Sequence, residues 1–281
     1  MIIVDYSQTI ISNFMAEVGN RKDIDIDVNL LRHMVLNTIR SYNLRFREEY
    51  GELVIACDNR KYWRKQFFPY YKGNRKRDRE ESGVDWVAIF DAINVIKEEL
   101  KFYSPYKVID IEGAEADDII ATLSQHTDQE VVIISSDHDF FQLQKNPKVK
   151  QYSPNKKKFV SPSVDIDFYI FEHIIRGDKG DGVPNVLTSD DAIVAGERQR
   201  PVTSKKLNEW YKSQDNWPKD EMFMRNFDRN KMLVDLTCIP LDIKNTIINT
   251  YETYGKRDRS KLIEYFTLNQ MKIMLDHVEE F

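Results

Sequence analysis

Three short apolar runs, each leading to an aspartate, constrain the fold of this chain most strongly. The runs are residues 2–4, 53–57 and 131–134, and the aspartates that follow them are Asp5, Asp58 and Asp137. Runs without polar alternation are typical of parallel strands that are covered on both faces. Residues 29–50 repeat apolar side chains at helical spacing between the first two runs, which predicts a strand-helix-strand unit. We therefore predict an α/β fold with a mainly parallel central sheet flanked by helices.

The remaining patterns divide the chain into two regions. Before residue 168 we predict strands at 106–111, 148–152 and 158–160, and helices that begin near Asp85 and at Glu115. Beyond that point the patterns predict helices at 168–176, 204–212, 218–234, 241–254 and 258–278, with residues 186–203 irregular. The expected domains are an α/β core, residues 1–167, and a helical region, residues 168–281.

Carboxylates are concentrated where the predicted parallel strands end. In open parallel sheets, ligands lie beyond the carboxyl ends of the strands, so acids at these ends should meet at one edge. The nine candidates are Asp5, Asp58, Glu115, Asp117, Asp118, Asp137, Asp139, Asp178 and Asp181. Converging carboxylates repel one another unless a cation with a preference for oxygen ligands, such as Mg²⁺ or Mn²⁺, lies between them. Nine acids exceed the needs of one ion, and two divalent ions ~4 Å apart are a recurring solution for phosphodiester cleavage.

Residues 60–79 combine basic and aromatic side chains at high density. Nine of these twenty residues are Lys or Arg and six are aromatic. Basic groups pair with phosphates and aromatic faces stack on unpaired bases, which indicates contact with nucleic acid. A solvated basic loop is the alternative, but so many aromatic side chains would then be exposed without a partner. A second basic patch is expected near Arg198, Arg200, Lys205 and Lys206.

Overall composition restricts the setting of the protein more than its function. The net charge of −5 does not indicate a nucleic-acid-binding protein by itself, so the distribution of charge matters. Cys57 and Cys238 are too few for a disulfide framework, and no apolar run approaches the ~20 residues that a membrane helix needs. Because the N-terminal residues also lack the basic region of a secretory signal, we expect a cytoplasmic protein without a membrane partner.

The order of the motifs resembles that of the 5′-nuclease (flap endonuclease) family, and of its phage members most closely. The motifs are Asp5, Asp58 with Tyr62-Trp63-Arg64, Tyr71-Lys72-Gly73-Asn74-Arg75, Glu115-Ala116-Asp117-Asp118, residues 135–140 (SSDHDF) and residues 177–185 (GDKGDGVPN). The resemblance implies a PIN-like core, a helical arch at about residues 60–100 and a helix-three-turn-helix region that binds duplex DNA. It also implies a metal-dependent 5′-to-3′ exonuclease and flap endonuclease, with ribonuclease H activity, that removes RNA primers during phage DNA replication.

The same resemblance implies roles for individual residues. One metal ion would be held by Asp5, Asp58, Asp117 and Asp137, with Glu115 close by. A second would be held by Asp139 and Asp181, with Asp178 and Asp118 as weaker candidates. Catalytic contacts to the scissile phosphate or the 5′ strand would come from Arg64, Lys72 and Arg75, and Tyr71 would stack on the terminal base. Further contacts with nucleic acid would come from Arg60, Lys61, Lys65, Lys76 and Arg77.

Cofactors and partners follow from the resemblance as well. We expect two Mg²⁺ ions, with Mn²⁺ as a substitute, and DNA or RNA–DNA duplexes with a 5′ end or flap as substrates. Single-strand-binding protein or other replisome proteins are expected partners of a monomer, in the host cytoplasm for a phage-encoded enzyme. Two departures stand out: His138 replaces the glycine that most relatives have between the paired aspartates, and residues 186–200 lack a G-I-G-x-K-T-A run.

Two other functions are compatible with parts of the sequence. A non-catalytic nucleic-acid-binding module would explain residues 60–79 but would leave nine converging acids without a cause. A phosphatase with an aspartyl nucleophile at Asp5 would need a second aspartate two residues later as general acid, and that position is Ser7. The nuclease hypothesis accounts for both the acids and the basic stretch.

Overall fold

The computed structural model describes residues 1–18 and 27–281, in which a six-stranded sheet has helices on both faces. Its strands are β1 (Ile2–Asp5), β2 (Leu53–Ala56), β3 (Lys107–Ile109), β4 (Val131–Ile134), β5 (Val149–Ser153) and β6 (Lys158–Val160), in the spatial order β3-β2-β1-β4-β5-β6. All pairs are parallel except β5 with β6. The predicted mainly parallel α/β sheet is therefore confirmed.

Thirteen α-helices occur within the described residues. They are α1 (Tyr6–Val18), α2 (Val28–Tyr50), α3 (Trp63–Phe67), α4 (Arg75–Ser82), α5 (Trp86–Tyr103), α6 (Ala116–His126), α7 (Ile166–Arg176), α8 (Ala192–Ala195), α9 (Ser204–Lys212), α10 (Glu221–Val234), α11 (Leu241–Thr253), α12 (Ser260–Leu268) and α13 (Lys272–Asp276). Short 3₁₀ helices cover His138–Lys145, Gln214–Asn216 and Val278–Glu280. No helix in this part of the chain is both long and apolar enough to cross a membrane.

Alternation along β1 shows why the sheet needs helices on both sides. Ile2 and Val4 enter one hydrophobic core with side chains of α2, α5 and α12, whereas Ile3 enters another with side chains of α6 and α11. Strands that are apolar on both faces are stable only when both faces are covered. Because α11 and α12 follow residue 168, part of the C-terminal half packs directly on the sheet.

Two predictions about helices were incomplete or wrong. Helix α1 was not predicted, although it begins directly after the first strand. Residues 258–278 do not form one helix, because the chain turns between α12 and α13 and Gln270 adopts a left-handed φ of 56°. Phe266 in α12 and Met274 in α13 lie on either side of this turn, and both side chains enter the same hydrophobic core.

Candidate active site

Neighbouring strands bring the predicted acids to one edge of the sheet. β1 lies between β2 and β4, so Asp5, Asp58 and Asp137 follow adjacent strand ends, as predicted. Eight of the nine candidate acids line one cavity of about 850 Å³: Asp5, Asp58, Glu115, Asp117, Asp137, Asp139, Asp178 and Asp181. Asp118 is the candidate that does not line it.

Asp118 has a structural role that conflicts with metal binding. It is completely buried, and its carboxylate accepts hydrogen bonds from the backbone N–H of Glu115 at 2.9 Å and from Trp63 Nε1 at 3.2 Å. Its other oxygen lies 2.8 Å from Arg64 Nη1. This is one half of the capping box that starts α6. The prediction of Asp118 as a metal ligand was therefore wrong.

Arg64 is also enclosed, which contradicts its predicted contact with phosphate. Its side chain is 2% exposed, and its guanidinium donates to Glu115 Oε2 and to the carbonyl oxygen of Leu233, both at 2.9 Å. Burial opposes its charge, but Asp118 and Glu115 outweigh burial and raise the pKa of Arg64. An arginine that is buried and held by Glu115, Asp118 and the Leu233 carbonyl oxygen faces the interior, so the predicted contact of Arg64 with phosphate is contradicted.

Asp181 is in contact with two of the basic side chains that line the cavity, Lys72 and Arg75. Tyr71 donates its hydroxyl to Asp181 Oδ2 at 2.7 Å, Arg75 forms a short ion pair with Oδ1, and Lys72 Nζ lies 3.7 Å from Oδ2. Lys72 also forms a short ion pair with Glu115. Burial raises the pKa of Asp181, but Lys72 and Arg75 reverse this and hold the pKa at about 2. Tyr71 is buried and occupied in this contact, so its predicted stacking on a base is contradicted.

Four other acids of the cavity lack an ion pair of the kind that Asp181 forms. Within residues 1–18 and 27–281, no lysine or arginine forms an ion pair with Asp5, Asp58, Asp117 or Asp137. Burial and then the neighbouring Asp58 and Asp137 raise the pKa of Asp5 to about 8, although Ser135 donates a hydrogen bond to it at 2.9 Å. Burial and then Asp137 raise the pKa of Asp117 as well. These four carboxylates line one cavity and offer the oxygen ligands that divalent ions such as Mg²⁺ prefer.

A histidine that the sequence reasoning missed belongs to the acidic edge. His173 lies in the last turn of α7, with Nδ1 3.4 Å from Asp139 Oδ1 and Nε2 3.6 Å from Asp178 Oδ2. Burial opposes the charge of His173, but the two aspartates outweigh burial and raise its pKa to about 9. Burial raises the pKa of Asp139 to about 8, against the effect of His173. The available signal was its position one helical turn before the acidic turn that starts at Gly177.

The remaining basic candidates fall into three groups. Arg60, Lys65, Lys72, Arg75 and Lys76 line the cavity together with Arg79. Lys61 and Arg77 do not: the Lys61 ammonium pairs with Glu112 at 2.9 Å, and Arg77 donates to the carbonyl oxygen of Val194 at 3.2 Å. The predicted second patch, Arg198, Arg200, Lys205 and Lys206, is exposed and lies outside the cavity lining.

The aromatic side chains of residues 60–79 are mostly internal. Trp63, Phe68 and Tyr71 are buried, and only Phe67 and Tyr70 are largely exposed. Phe68 and Tyr71 pack with Ile174, Val183 and Leu233 in a small hydrophobic cluster. The stretch therefore builds one wall of the cavity, with most of its aromatic side chains serving as core.

Comparisons with known proteins show the family of the chain and the fold that it shares with solved structures. The family model described as "5'-3' exonuclease, N-terminal resolvase-like domain" matches residues 1–167, and that described as "T4 RNase H, C terminal" matches residues 161–281. Ribonuclease H of Enterobacteria phage T4 is 35% identical over 295 residues, which cover 99% of this chain and 95% of that protein. Flap endonuclease Xni of Shewanella oneidensis is 29% identical over 134 residues, 44% of this chain and 48% of that protein. The fold is similar to that of the T5 D15 protein co-crystallised with metal ions, with a TM-score of 0.64 and 20% identity, covering 89% of this chain and 98% of that one.

Proposed function

The chain belongs to the 5′-3′ exonuclease family of metal-dependent nucleases, and from this premise we propose that it removes RNA primers from the 5′ side. Its substrates are RNA–DNA and DNA duplexes with a 5′ end or a flap, and it hydrolyses their phosphodiesters. The observation that carries the proposal is the single cavity in which eight carboxylates face six basic side chains. Carboxylates bind divalent ions and basic groups bind phosphates, so one cavity can hold both the metal ions and the phosphate of the substrate.

Two Mg²⁺ ions, replaceable by Mn²⁺, are the proposed cofactors. Asp5, Asp58, Asp117 and Asp137 are the ligands proposed for one ion, because no lysine or arginine among the described residues forms an ion pair with them. Asp139 and Asp181, with Asp178, are the ligands proposed for the other. The chemistry that bound divalent ions supply at such a site is activation of water and compensation of charge on the phosphate oxygens.

Lys72 and Arg75 are the proposed contacts to the scissile phosphate. Both line the cavity, and both are held beside the acids by Asp181. Groups that are fixed in place before the reaction stabilise developing charge without the cost of reorganisation. The buried ion pair of Arg64 and Glu115 stabilises this arrangement, because Glu115 also forms an ion pair with Lys72.

The roles of the arch and of the helical region, the monomeric state and the replication partners are also proposals. Residues 60–100 form the arch through which the 5′ strand passes, and residues 168–281 are the helical region that binds duplex DNA through Arg198, Arg200, Lys205 and Lys206. The enzyme acts as a monomer with Mg²⁺ in the host cytoplasm, together with single-strand-binding protein or other replisome proteins.

Cleavage of substrates labelled at the 5′ end tests the proposal. An RNA primer annealed to DNA, a DNA flap and a nicked DNA duplex are incubated with the full chain in Mg²⁺ and, separately, in EDTA. We expect short labelled products only with metal, and no cleavage of a covalently closed circular duplex, which has no 5′ end. Equal cleavage of the closed circle, or no cleavage of any substrate with Mg²⁺ or Mn²⁺, would contradict the proposal.

A further inference from the structure

His173 lies between two aspartates of the cavity in a way that its hydrogen bonding does not explain. Nδ1 is buried and has no hydrogen-bond partner, and the 3.6 Å between Nε2 and Asp178 Oδ2 exceeds hydrogen-bond length. A buried polar atom that is left without a partner costs stability. A metal ion that displaces the ring proton could be bound by one ring nitrogen and by both carboxylates.

The spacing of these three side chains suits a shared cation. One nitrogen of His173 and one oxygen each of Asp139 and Asp178 lie within 4.8 Å of one another. Two ligands of the same ion, with bonds of about 2.0–2.2 Å, are separated by roughly 3.0–3.5 Å in tetrahedral or octahedral geometry. The 3.4 Å between His173 Nδ1 and Asp139 Oδ1 falls in this range and is longer than a good hydrogen bond.

Rigid backbone positions these ligands. His173 lies on a helix of eleven residues, and its carbonyl oxygen accepts a hydrogen bond from the N–H of Gly177 at 2.8 Å. The turn that carries Asp178 is pinned by a hydrogen bond from the N–H of Val183 to the carbonyl oxygen of Asp178, at 2.7 Å. A side chain at Gly177 would collide with the carbonyl oxygens of Val183 and Pro184, so this turn packs tightly. Ligands on rigid elements are already positioned for a metal ion.

An open pocket gives this group its own access to solvent. The pocket has a volume of about 560 Å³ and includes Asp139, His173 and Asp178 in its lining. Polar groups of Gln8, Ser136 and Asn155 line the same pocket, so an ion there could keep water ligands. Asp5, Asp58 and Asp117 do not line it, whereas Asp137 lines both this pocket and the larger cavity, so this position adjoins the group of four carboxylates but opens to solvent on a different side.

We propose that His173 is a nitrogen ligand of the cation held by Asp139 and Asp178, and that this position therefore gains more affinity than the group of four carboxylates does when Mg²⁺ is replaced by a transition metal such as Mn²⁺, Co²⁺ or Zn²⁺. The inference rests on the proposed function, since it concerns the second of the two metal positions. Imidazole suits transition metals, whereas Mg²⁺ strongly prefers oxygen ligands. The group of four carboxylates offers only oxygen, so the two positions differ in the metal that they prefer.

Metal binding to the full chain tests this without measuring activity. The protein is freed of metal with a chelator and titrated with Co²⁺ and with Mg²⁺ by calorimetry. Proton NMR of the Co²⁺ form then detects the strongly shifted, exchangeable N–H resonance of a cobalt-bound imidazole. We expect that resonance in the wild type, and we expect its loss in His173→Gln. The ratio of Co²⁺ to Mg²⁺ affinity at this position should fall about tenfold or more in the variant.

His138→Gln is the matched control, because His138 lines the same pocket but its ring stacks on Phe141 at 5.1 Å between centroids. It should retain both the shifted resonance and the metal preference. His173→Asn is a second variant for the case in which the Gln variant fails to fold, as judged by circular dichroism. An absent imidazole resonance in the wild type, or an unchanged affinity ratio in a folded His173 variant, would overturn the proposal.

The nuclease proposal is tested separately by cleavage of the 5′-labelled substrates in Mg²⁺. If the wild type does not cleave them, the proposed function fails, while the cobalt resonance still decides the role of His173. If cleavage is normal and the resonance is absent, only the inference about His173 fails.

Discussion

Arg64 donates a hydrogen bond to Glu115 at 2.9 Å inside the protein, where the two side chains are only 2% and 1% exposed. The pair joins α3 to the residue that caps α6, and Asp117 of the cavity lies two residues beyond that cap. Ion pairs of this kind contribute little net stability, but breaking one leaves an uncompensated buried charge. Arg64 therefore positions an acid of the cavity without reaching the substrate.

Arg64→Ala should destabilise the protein by about 3–5 kcal/mol, because Glu115 and Asp118 would lose their buried partner. Urea unfolding in EDTA measures this. Lys65→Ala is the control: its side chain is exposed, and we expect a change within about 0.5 kcal/mol. If the Arg64→Ala protein has normal stability but binds or cleaves DNA poorly, the originally predicted contact of Arg64 with phosphate would be correct.

The parts of the fold that could be predicted are those set by local patterns. Unbroken apolar runs before Asp5, Asp58 and Asp137 indicate buried parallel strands, and the ends of such strands converge whatever the rest of the chain does. Helix α1 follows Asp5 directly, with no acidic residue in its first turn and no basic residue in its last turn, so its ends carry few local signals. The break at Gln270 depends on where Phe266 and Met274 pack, which is tertiary information that no local pattern contains.

The candidate site was predictable in its acids and less so in its other side chains. An aspartate that follows a parallel strand lies at the carboxyl edge of the sheet, whereas the long side chain of an arginine in a basic stretch can point either to solvent or into the protein. Arg64 points inward because Glu115 and Asp118, 51 and 54 residues later, are buried beside it. His173 was missed for the converse reason: a single histidine on a helix carries no motif, and only the fold places Asp139 and Asp178 next to it.

Asp137→Asn should abolish cleavage and leave the fold intact. The substitution removes a charge that raises the pKa of both Asp5 and Asp117, so it removes a metal ligand and relieves repulsion in the metal-free protein. Turnover on a 5′-labelled flap and thermal unfolding in EDTA test the two halves. Near-normal turnover would rule out Asp137 as a ligand.

Raising the pH from about 5 to 8.5 should destabilise the metal-free protein. Asp5 has a pKa of about 8 in the folded state, against 3.8 ordinarily, so the folded protein holds a proton that the unfolded chain has released. Its stabilising contribution is complete below pH ~4 and is lost as the pH rises through 8. Asp139 shifts in the same direction, whereas the lowered pKa of Asp181 matters only below pH ~4.

Thermal unfolding in EDTA across this pH range measures the effect, with Asp5→Asn as the control that should flatten part of the dependence. Bound metal must displace the same protons, so the apparent Mg²⁺ affinity should increase between pH 6 and 8. Stability in EDTA that is unchanged from pH 5 to 8.5 would show that these carboxylates are already ionised at pH 5.

Arg75→Ala and Lys72→Ala should slow the chemical step more than they weaken binding. Both groups are held next to the acids, where charge develops on the phosphate, and loss of one such donor typically costs 10²–10³-fold in rate. Single-turnover rates and Kd for a flap substrate separate the two effects. Lys76→Ala, with a highly exposed side chain on the same wall, should weaken binding modestly and leave the rate normal. The opposite pattern in Arg75→Ala would make it a general phosphate contact.

DNA binding should depend strongly on salt despite the net charge of −5, because affinity follows local neutralisation of phosphates. On duplex DNA, log K should fall by about 0.9 per contacted phosphate per log unit of salt. The acids of the cavity oppose this binding until metal compensates them. Ca²⁺ at constant ionic strength should therefore tighten binding to the wild type.

Neutralising two of these acids should replace part of the effect of the metal. In an Asp139→Asn, Asp181→Asn double variant, two negative charges disappear and Arg75 loses its carboxylate partner, so it becomes free to pair with phosphate, while Lys72 keeps its ion pair with Glu115. We expect tighter binding than wild type without metal, and a smaller gain from Ca²⁺, in fluorescence anisotropy titrations of a labelled flap. An Asp215→Asn, Asp228→Asn double variant, which changes two exposed acids outside the cavity lining, controls for net charge. If metal-free affinity and the Ca²⁺ effect are the same in the double variant and the wild type, Asp139 and Asp181 do not face the DNA, and the ligands proposed for the second ion are wrong.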